Sequence, residues 1–242
     1  MQKKQYLKLL FFILFITGSF LDANSLFKEH KTKIISINEN SAIVKNFPDV
    51  KIGSSGIVVH RYSKNHSTIV AKIIVIAKNG DTMKILFKSF KDLKQPVLPL
   101  PKILPQAGDT VILNFLYNKA LMIAPNYQTY KNIENRHSDI TWLNPDLFAA
   151  KLFADNDPNP HRSTFKNMCK NYSFSLLYFA INKSGYFVDC NSFKILSKEH
   201  IKNSGKIILP FYSRIKNIQA SWLSFGKSKI NNYNEFYTNL LR

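Results

Sequence analysis

The sequence predicts an α+β protein: a small antiparallel β-barrel or sandwich, then a mixed α/β domain with a disulfide. Three observations carry that prediction. Short β-branched runs broken by polar turns fill the first half of the chain after its leader-like start. Helix-period apolar patterns with recognisable start signals come later, from residue 126 onward. The only two cysteines, Cys169 and Cys190, bracket a continuous apolar run in that later half.

The elements follow in order. MQKKQYLK, with three lysines, leads into LLFFILFITGSF, an uncharged and mostly apolar run, and then into the small residues of LDANS. This reads as a cleavable secretory signal over residues 1–25, cut after Ser25, with Ala23 as the near alternative. As a membrane anchor the run falls short of the roughly 20 apolar residues a span needs. No cysteine follows it to carry a lipid. Residues 26–118 read as the β-rich domain. KTKIISI and AIVKNF form two strands around a polar turn, and Gly53 and Gly56 mark a bend entering GIVVHRY. STIVAKIIVIA and TMKILFKSF flank Asn79-Gly80, the pair that favours a type I′ hairpin.

Pro96, Pro99, Pro101 and Pro105 cannot sit in a central strand. Val97, Leu98, Leu100, Ile103 and Leu104 make the stretch apolar, unlike a solvated linker or a PxxP docking peptide. It reads as a packed crossover inside the β unit, with Ala107-Gly108-Asp109 turning into the strand-like TVILNFLYNKALMIAP.

Residues 119–242 read as the mixed α/β domain. ALMIA is a short strand and NYQTYKNIENRH a helix. Asn144-Pro145 opens a second helix, Asn as N-cap and Pro at the first helical position. Leu147, Phe148, Leu152 and Phe153 supply its apolar face. STFKNMCK is a short helix, SFSLLYFAI a buried strand, Lys183-Ser184-Gly185 a turn, GYFVDC and FKILS strands. Tyr233, Phe236, Tyr237 and Leu240 fall at helical spacing near the end. Folding the hairpin back brings Cys190 toward Cys169. A disulfide suits an exported chain; a catalytic thiol or two unpaired structural thiols are the other readings.

Lys and Arg total 34 against 15 Asp and Glu, a net charge of +19, and most of the basic residues are Lys. Without residues 1–25 the balance is 31 basic to 14 acidic residues, a net +17, so the charge is not a property of the leader. Such a surface suits anionic envelope polymers or lipid headgroups. Nucleic acid is excluded as a partner class, because no dense basic run interleaves with aromatics.

The chain has no GxGxxG, P-loop, GxSxG or HExxH motif. Asp155-Asn156-Asp157 lacks the glycine and distal glutamate of a calcium loop. His30, His60, His66, His137, His161 and His200 are scattered and read as solvated surface histidines. No enzyme, no catalytic residue, no metal site and no cofactor is expected.

DVKIGSSGIVV, the long run from IIVIAKNGDTMKILFKSF through QPVLPLPKILPQAGDTVILNFLYNKALMIAPN, the CK…DC pair and LPFYSRI together resemble a known family. The chain is similar, over roughly residues 32–240, to the N-terminal domain of the Pgb-type plasminogen-binding proteins of epsilon-class bacteria. The resemblance implies an exported protein at the periplasm, outer membrane or cell surface, paired cysteines at Cys169 and Cys190, and binding of host plasminogen. Family members continue into a Lys/Glu-rich tail ending in lysine, whereas this sequence ends at Leu241-Arg242. Plasminogen kringles hold a lysine by its cation, its aliphatic stem and often a free carboxylate. Arg242 offers a planar cation in place of that lysine, and Lys227 and Lys229 are internal candidates. The competing reading is a periplasmic scaffold held by charge to cell wall or anionic lipid.

Overall fold

The computed structural model describes residues 26–89, 103–156, 159–215 and 229–242. The signal segment, most of the proline-rich stretch and Lys227 lie outside them.

Six strands close into an antiparallel barrel: β1 (His30–Asn38), β2 (Ser41–Lys45), β3 (Ser55–Arg61), β4 (Ser67–Asn79), β5 (Thr82–Ser89) and β6 (Thr110–Leu113). Their order around it is β1-β2-β5-β4-β3-β6, and β6 pairs with both β3 and β1 to complete the ring. Alternation decides which side chains fill it. Ala71, Ile73 and Val75 of β4 point in, as do Met83 and Ile85 of β5, to meet Ile34, Val44, Val58, Val111 and Leu113. The proline-rich stretch falls in sequence between β5 and β6 of this one barrel, and the packed crossover expected of it lies mostly outside the described residues. Ala107-Gly108 makes the turn ahead of β6, but Leu104 stands 78% exposed, so this end of the stretch is not packed as its composition suggested.

The second unit is a five-stranded mixed sheet, ordered β11-β10-β9-β7-β8. It comprises β7 (Lys119–Ile123), β8 (Thr141–Leu143), β9 (Leu176–Ile181), β10 (Ser184–Asp189) and β11 (Ile195–His200). β7 runs parallel to β8 and β9, and β9, β10 and β11 form an antiparallel meander. Four helices cover it: α1 (Tyr127–Arg136), α2 (Pro145–Ala154), α3 (Arg162–Tyr172) and α4 (Tyr233–Leu241).

Because β7 and β9 are buried on both faces, they read as unbroken apolar runs, and alternation sorts them into two cores. Leu121, Ile123, Leu177 and Phe179 face α2, α3 and α4. Ala120, Met122, Leu176 and Tyr178 face α1 through Tyr130 and Ile133. The cap expected at Asn144 is made, its Oδ1 accepting from Asp146 N at 3.0 Å, and Asn126 Oδ1 caps α1 by accepting from Thr129 N at 2.9 Å. α4 docks as its spacing predicts, with Tyr233 and Tyr237 buried.

Three local readings are corrected. The hairpin loop between β4 and β5 is Gly80-Asp81, since Asn79 pairs with Thr82. Gly80 has φ +52° and Asp81 is not among the residues with positive φ, whereas a type I′ turn needs both. The buried face of α2 is Phe148, Ala149 and Leu152, while Leu147 and Phe153 are exposed. The stripe is centred on Phe148 and Leu152, and each of the other two lies a full residue, or 100°, to one side. Ser184 and Gly185 belong to β10, and the turn is Asn182-Lys183. Gly185 is required by a close approach: a Cβ there would fall 1.7 Å from the Tyr178 hydroxyl.

Cys169 on α3 and Cys190, just past β10, form a disulfide with a Cα–Cα distance of 6.5 Å and a separation of 21 residues. Both are buried in the α3-side core. Replacing both by alanine is expected to lower stability by about 3 kcal/mol, read as a shift in urea midpoint, with reductant having the same effect on the native chain and none on the double variant.

Candidate functional site

The barrel and the sheet meet at one buried carboxylate. Asp189, the last residue of β10, is fully buried. Its Oδ2 accepts from Ser55 Oγ of β3 at 2.5 Å and from Tyr117 Oη at 2.7 Å, and its Oδ1 from Ser192 N at 2.6 Å. Tyr117 Oη in turn accepts the Ser55 backbone N–H at 3.0 Å. Burial pushes the Asp189 carboxyl above its ordinary range, against the pull of these hydrogen bonds. Around this hub Asn191 Nδ2 donates to Ser55 Oγ at 3.0 Å and Ser192 Oγ to the Gly53 carbonyl at 2.7 Å. Gly53 adopts φ +95°, and a Cβ on it would meet Lys194 Cβ at 2.6 Å.

This seam carries a groove in two adjoining hollows. One, of about 330 Å³, lies between β3 and α3 and is lined by Ile57, Ile69, Phe115 and Leu116. The other, of about 800 Å³, runs over the outer face of β4 and β5 and is lined by Ile52, Ile74, Ile76, Leu86 and Ile195. Lys72, Lys166 and Asn191 line both. Lys170 joins them in the first hollow and Lys88 and Lys194 in the second, and among the described residues no Asp or Glu lines either. Lys72 Nζ donates to Asn191 Oδ1 at 3.1 Å, tying the cationic wall to the hub.

The groove lysines were not singled out from sequence. Their signals were present: Lys166 and Lys170 are four apart on a helix, and Lys72 and Lys88 come within one residue of symmetry about the Gly80-Asp81 loop. A register shift between Val75 and Ala77 blurs that symmetry to a reader of the sequence.

The residues expected from sequence lie elsewhere. Arg242 follows α4, is exposed, and its Nη1 donates to Asn239 Oδ1 at 3.4 Å. Lys229 is exposed ahead of α4. Neither lines the groove. The histidines are not uniformly solvated. His30 is 2.6 Å from Asp49, His60 2.8 Å from Asp109 and His137 2.9 Å from Glu199, and all three are largely covered. The scarce carboxylates draw them into pairs. Glu199 also accepts from Tyr178 Oη at 2.6 Å; burial raises its pKa, and His137, Tyr178 and Arg136 outweigh that and hold it below the ordinary 4.5. Among the described residues no group of three or more His, Cys, Asp or Glu could hold a metal, and no helix is long and apolar enough to cross a membrane.

The sequence profile described as "Plasminogen-binding protein pgbA N-terminal" matches residues 29–241. The chain belongs to the PgbA N-terminal family. It is 31% identical over 198 residues to the Plasminogen-binding protein PgbA of Helicobacter pylori strain J99, and 30% identical over the same length to that of strain 26695. Each alignment covers 80% of this chain and 43% of the relative, so the chain spans less than half the length of the curated PgbA proteins it matches. The names in this family describe binding proteins.

Two outcomes test the geometry. Asp189→Ala strands two hydroxyls and an amide in the seam and is expected to cost about 3 kcal/mol in urea denaturation, with Tyr117→Phe costing about 1–2 kcal/mol. Glu199 has its folded pKa depressed, so its contribution to stability is present above pH 4.5 and is lost as pH falls through the folded value. Glu199→Gln should remove that part of the acid dependence, measured as the melting temperature between pH 6 and about pH 3.

Proposed function

We propose that this protein is exported to the cell envelope and binds host plasminogen there, acting as a binding protein and not as an enzyme. The observation that carries the reading is membership of the PgbA N-terminal family across residues 29–241, with relatives named for plasminogen binding. The chemistry of the chain is compatible with it. A kringle that holds a lysine needs a projecting cation on an accessible stem, and Lys229 and Arg242 are both exposed beside α4. Lys227 lies two residues before Lys229 and joins them as a contact residue in this proposal. The amino-terminal segment over residues 1–25 is the proposed export signal, and the net charge of +19 suits residence among anionic envelope polymers.

The test is binding of the purified protein to immobilised plasminogen, with and without a free lysine analogue. Saturable binding abolished by the analogue is expected. Combined Lys227→Ala, Lys229→Ala and Arg242→Ala should weaken it by about tenfold, a loss of about 1.4 kcal/mol. Binding that ignores the analogue and disappears only with added salt would overturn the reading in favour of charge-held attachment to the envelope.

A further inference from the structure

We infer that the exposed aliphatic run Ile207-Ile208-Leu209, with Tyr127 and Tyr212 beside it, is a contact surface for the anionic headgroup region of a phospholipid bilayer. The inference is independent of the plasminogen reading, because it invokes none of Lys227, Lys229 and Arg242.

Apolar surface is held outward here. Ile207, Ile208 and Leu209 are 40%, 41% and 37% exposed. Among the described residues they are the only large apolar side chains exposed at consecutive positions. Single exposed hydrophobics are ordinary, whereas a contiguous set marks an interaction surface. The fold does not leave the run free to turn inward, because its segment is pinned at both ends. On one side Ile201 is buried in the α1-side core, and Thr129 Oγ1 donates to Asn203 Oδ1 at 3.1 Å. On the other Phe211 is buried in the α3-side core, and the buried Tyr237 Oη donates to the Pro210 carbonyl at 3.0 Å. Between these anchors Ile208 N donates to the Pro125 carbonyl at 2.7 Å, and Tyr212 N follows to the Ala124 carbonyl at 2.8 Å. Both bonds fasten the run beside the start of α1.

The surrounding side chains select a bilayer. Tyr127, the first residue of α1, is exposed, and its ring lies 5.5 Å from that of Tyr212. Tyrosine suits a boundary that is apolar on one side and wet on the other. Lys202 and Lys206 are exposed in the same segment. Their stems lie along apolar surface while their ammonium groups stay at headgroup depth. Lysine is depleted at protein–protein interfaces, so an aliphatic run with tyrosines and lysines fits lipid better than a second protein. Asp146 and Glu134, whose charges reach Tyr212, are each paired with a cation, Arg214 and Lys131. The chain after residue 25 carries a net +17, which draws it toward anionic lipid. Irregular backbone cannot enter hydrocarbon with its amides unpaired. The contact is therefore shallow, with the three side chains at the boundary of headgroups and acyl chains.

The experiment uses the chain without residues 1–25, whose apolar run would itself reach lipid; the three cores described above are built from residues after that point. Vesicles of mixed phosphatidylglycerol and phosphatidylcholine are expected to carry the protein down on sedimentation. Phosphatidylcholine alone, or added salt, should carry down less. Ile207→Ser, Ile208→Ser and Leu209→Ser combined should weaken partition onto the mixed vesicles by about tenfold at unchanged net charge. All three positions are exposed, and retained folding is checked by an unchanged far-ultraviolet spectrum. A polarity-sensitive fluorophore on Ile207→Cys should shift to the blue with vesicles, and the same probe on Ile35→Cys, exposed on β1, should not. The serine variant should bind plasminogen as the native chain does, so the two readings fail separately. The inference is overturned if the chain stays in solution with anionic vesicles, if the serine variant partitions equally well, or if the probe at position 207 does not shift. It is also overturned if the run instead joins two copies of the chain, seen as a dimer without lipid that the serine variant loses.

Discussion

A carboxylate has been taken out of water at Asp189, and among the described residues its side-chain partners are two hydroxyls and a backbone amide. Such burial is tolerated only where donors surround the charge or where the group holds its proton. Here the donors come from both halves of the molecule: Ser55 from the barrel, Tyr117 from the connection between them, Ser192 from the loop that follows β10. The arrangement works only when β3 and β10 stand in one relation. The hub therefore fixes how the two units meet, and through Asn191 and Lys72 it fixes the groove between them.

What the sequence made legible follows from where its signals are local. β4 and β5 alternate cleanly because the barrel buries one face of each, and their hairpin was plain in outline. The cap at Asn144 is satisfied two residues on, so it too could be read. Gly185 misled because its reason is Tyr178 on the neighbouring strand, a contact that no turn signal encodes. Leu147 and Phe153 misled because hydrophobicity alone does not place the centre of a helical stripe. The hub was invisible for a stronger reason: Ser55 and Asp189 are 134 residues apart. Nothing near either residue announces the other.

The same distinction applies to function. Family membership was readable from the run between Gly80 and Asn126, since shared sequence is what a resemblance measures. The groove was not, because its lysines come from β4, β5, α3 and the loop before β11, and only folding gathers them. A chain with 34 basic residues offers many lysines to choose from, and composition cannot say which face one another. The histidine pairs make the complementary point. With only 15 acidic residues in the chain, three of them are drawn into partnership with histidines, a pairing that composition alone does not announce.

Closure of the barrel reaches further than its own stability. A ring of strands presents no open row of amides and carbonyls, so copies crowded together cannot grow on one another by adding a strand. The second sheet does have two ends, but β8 is three residues long and β11 carries Lys198 and Glu199. Both are features that discourage edge pairing. A molecule of this build can be packed densely at an interface and stay a population of separate units, each with its own face turned outward.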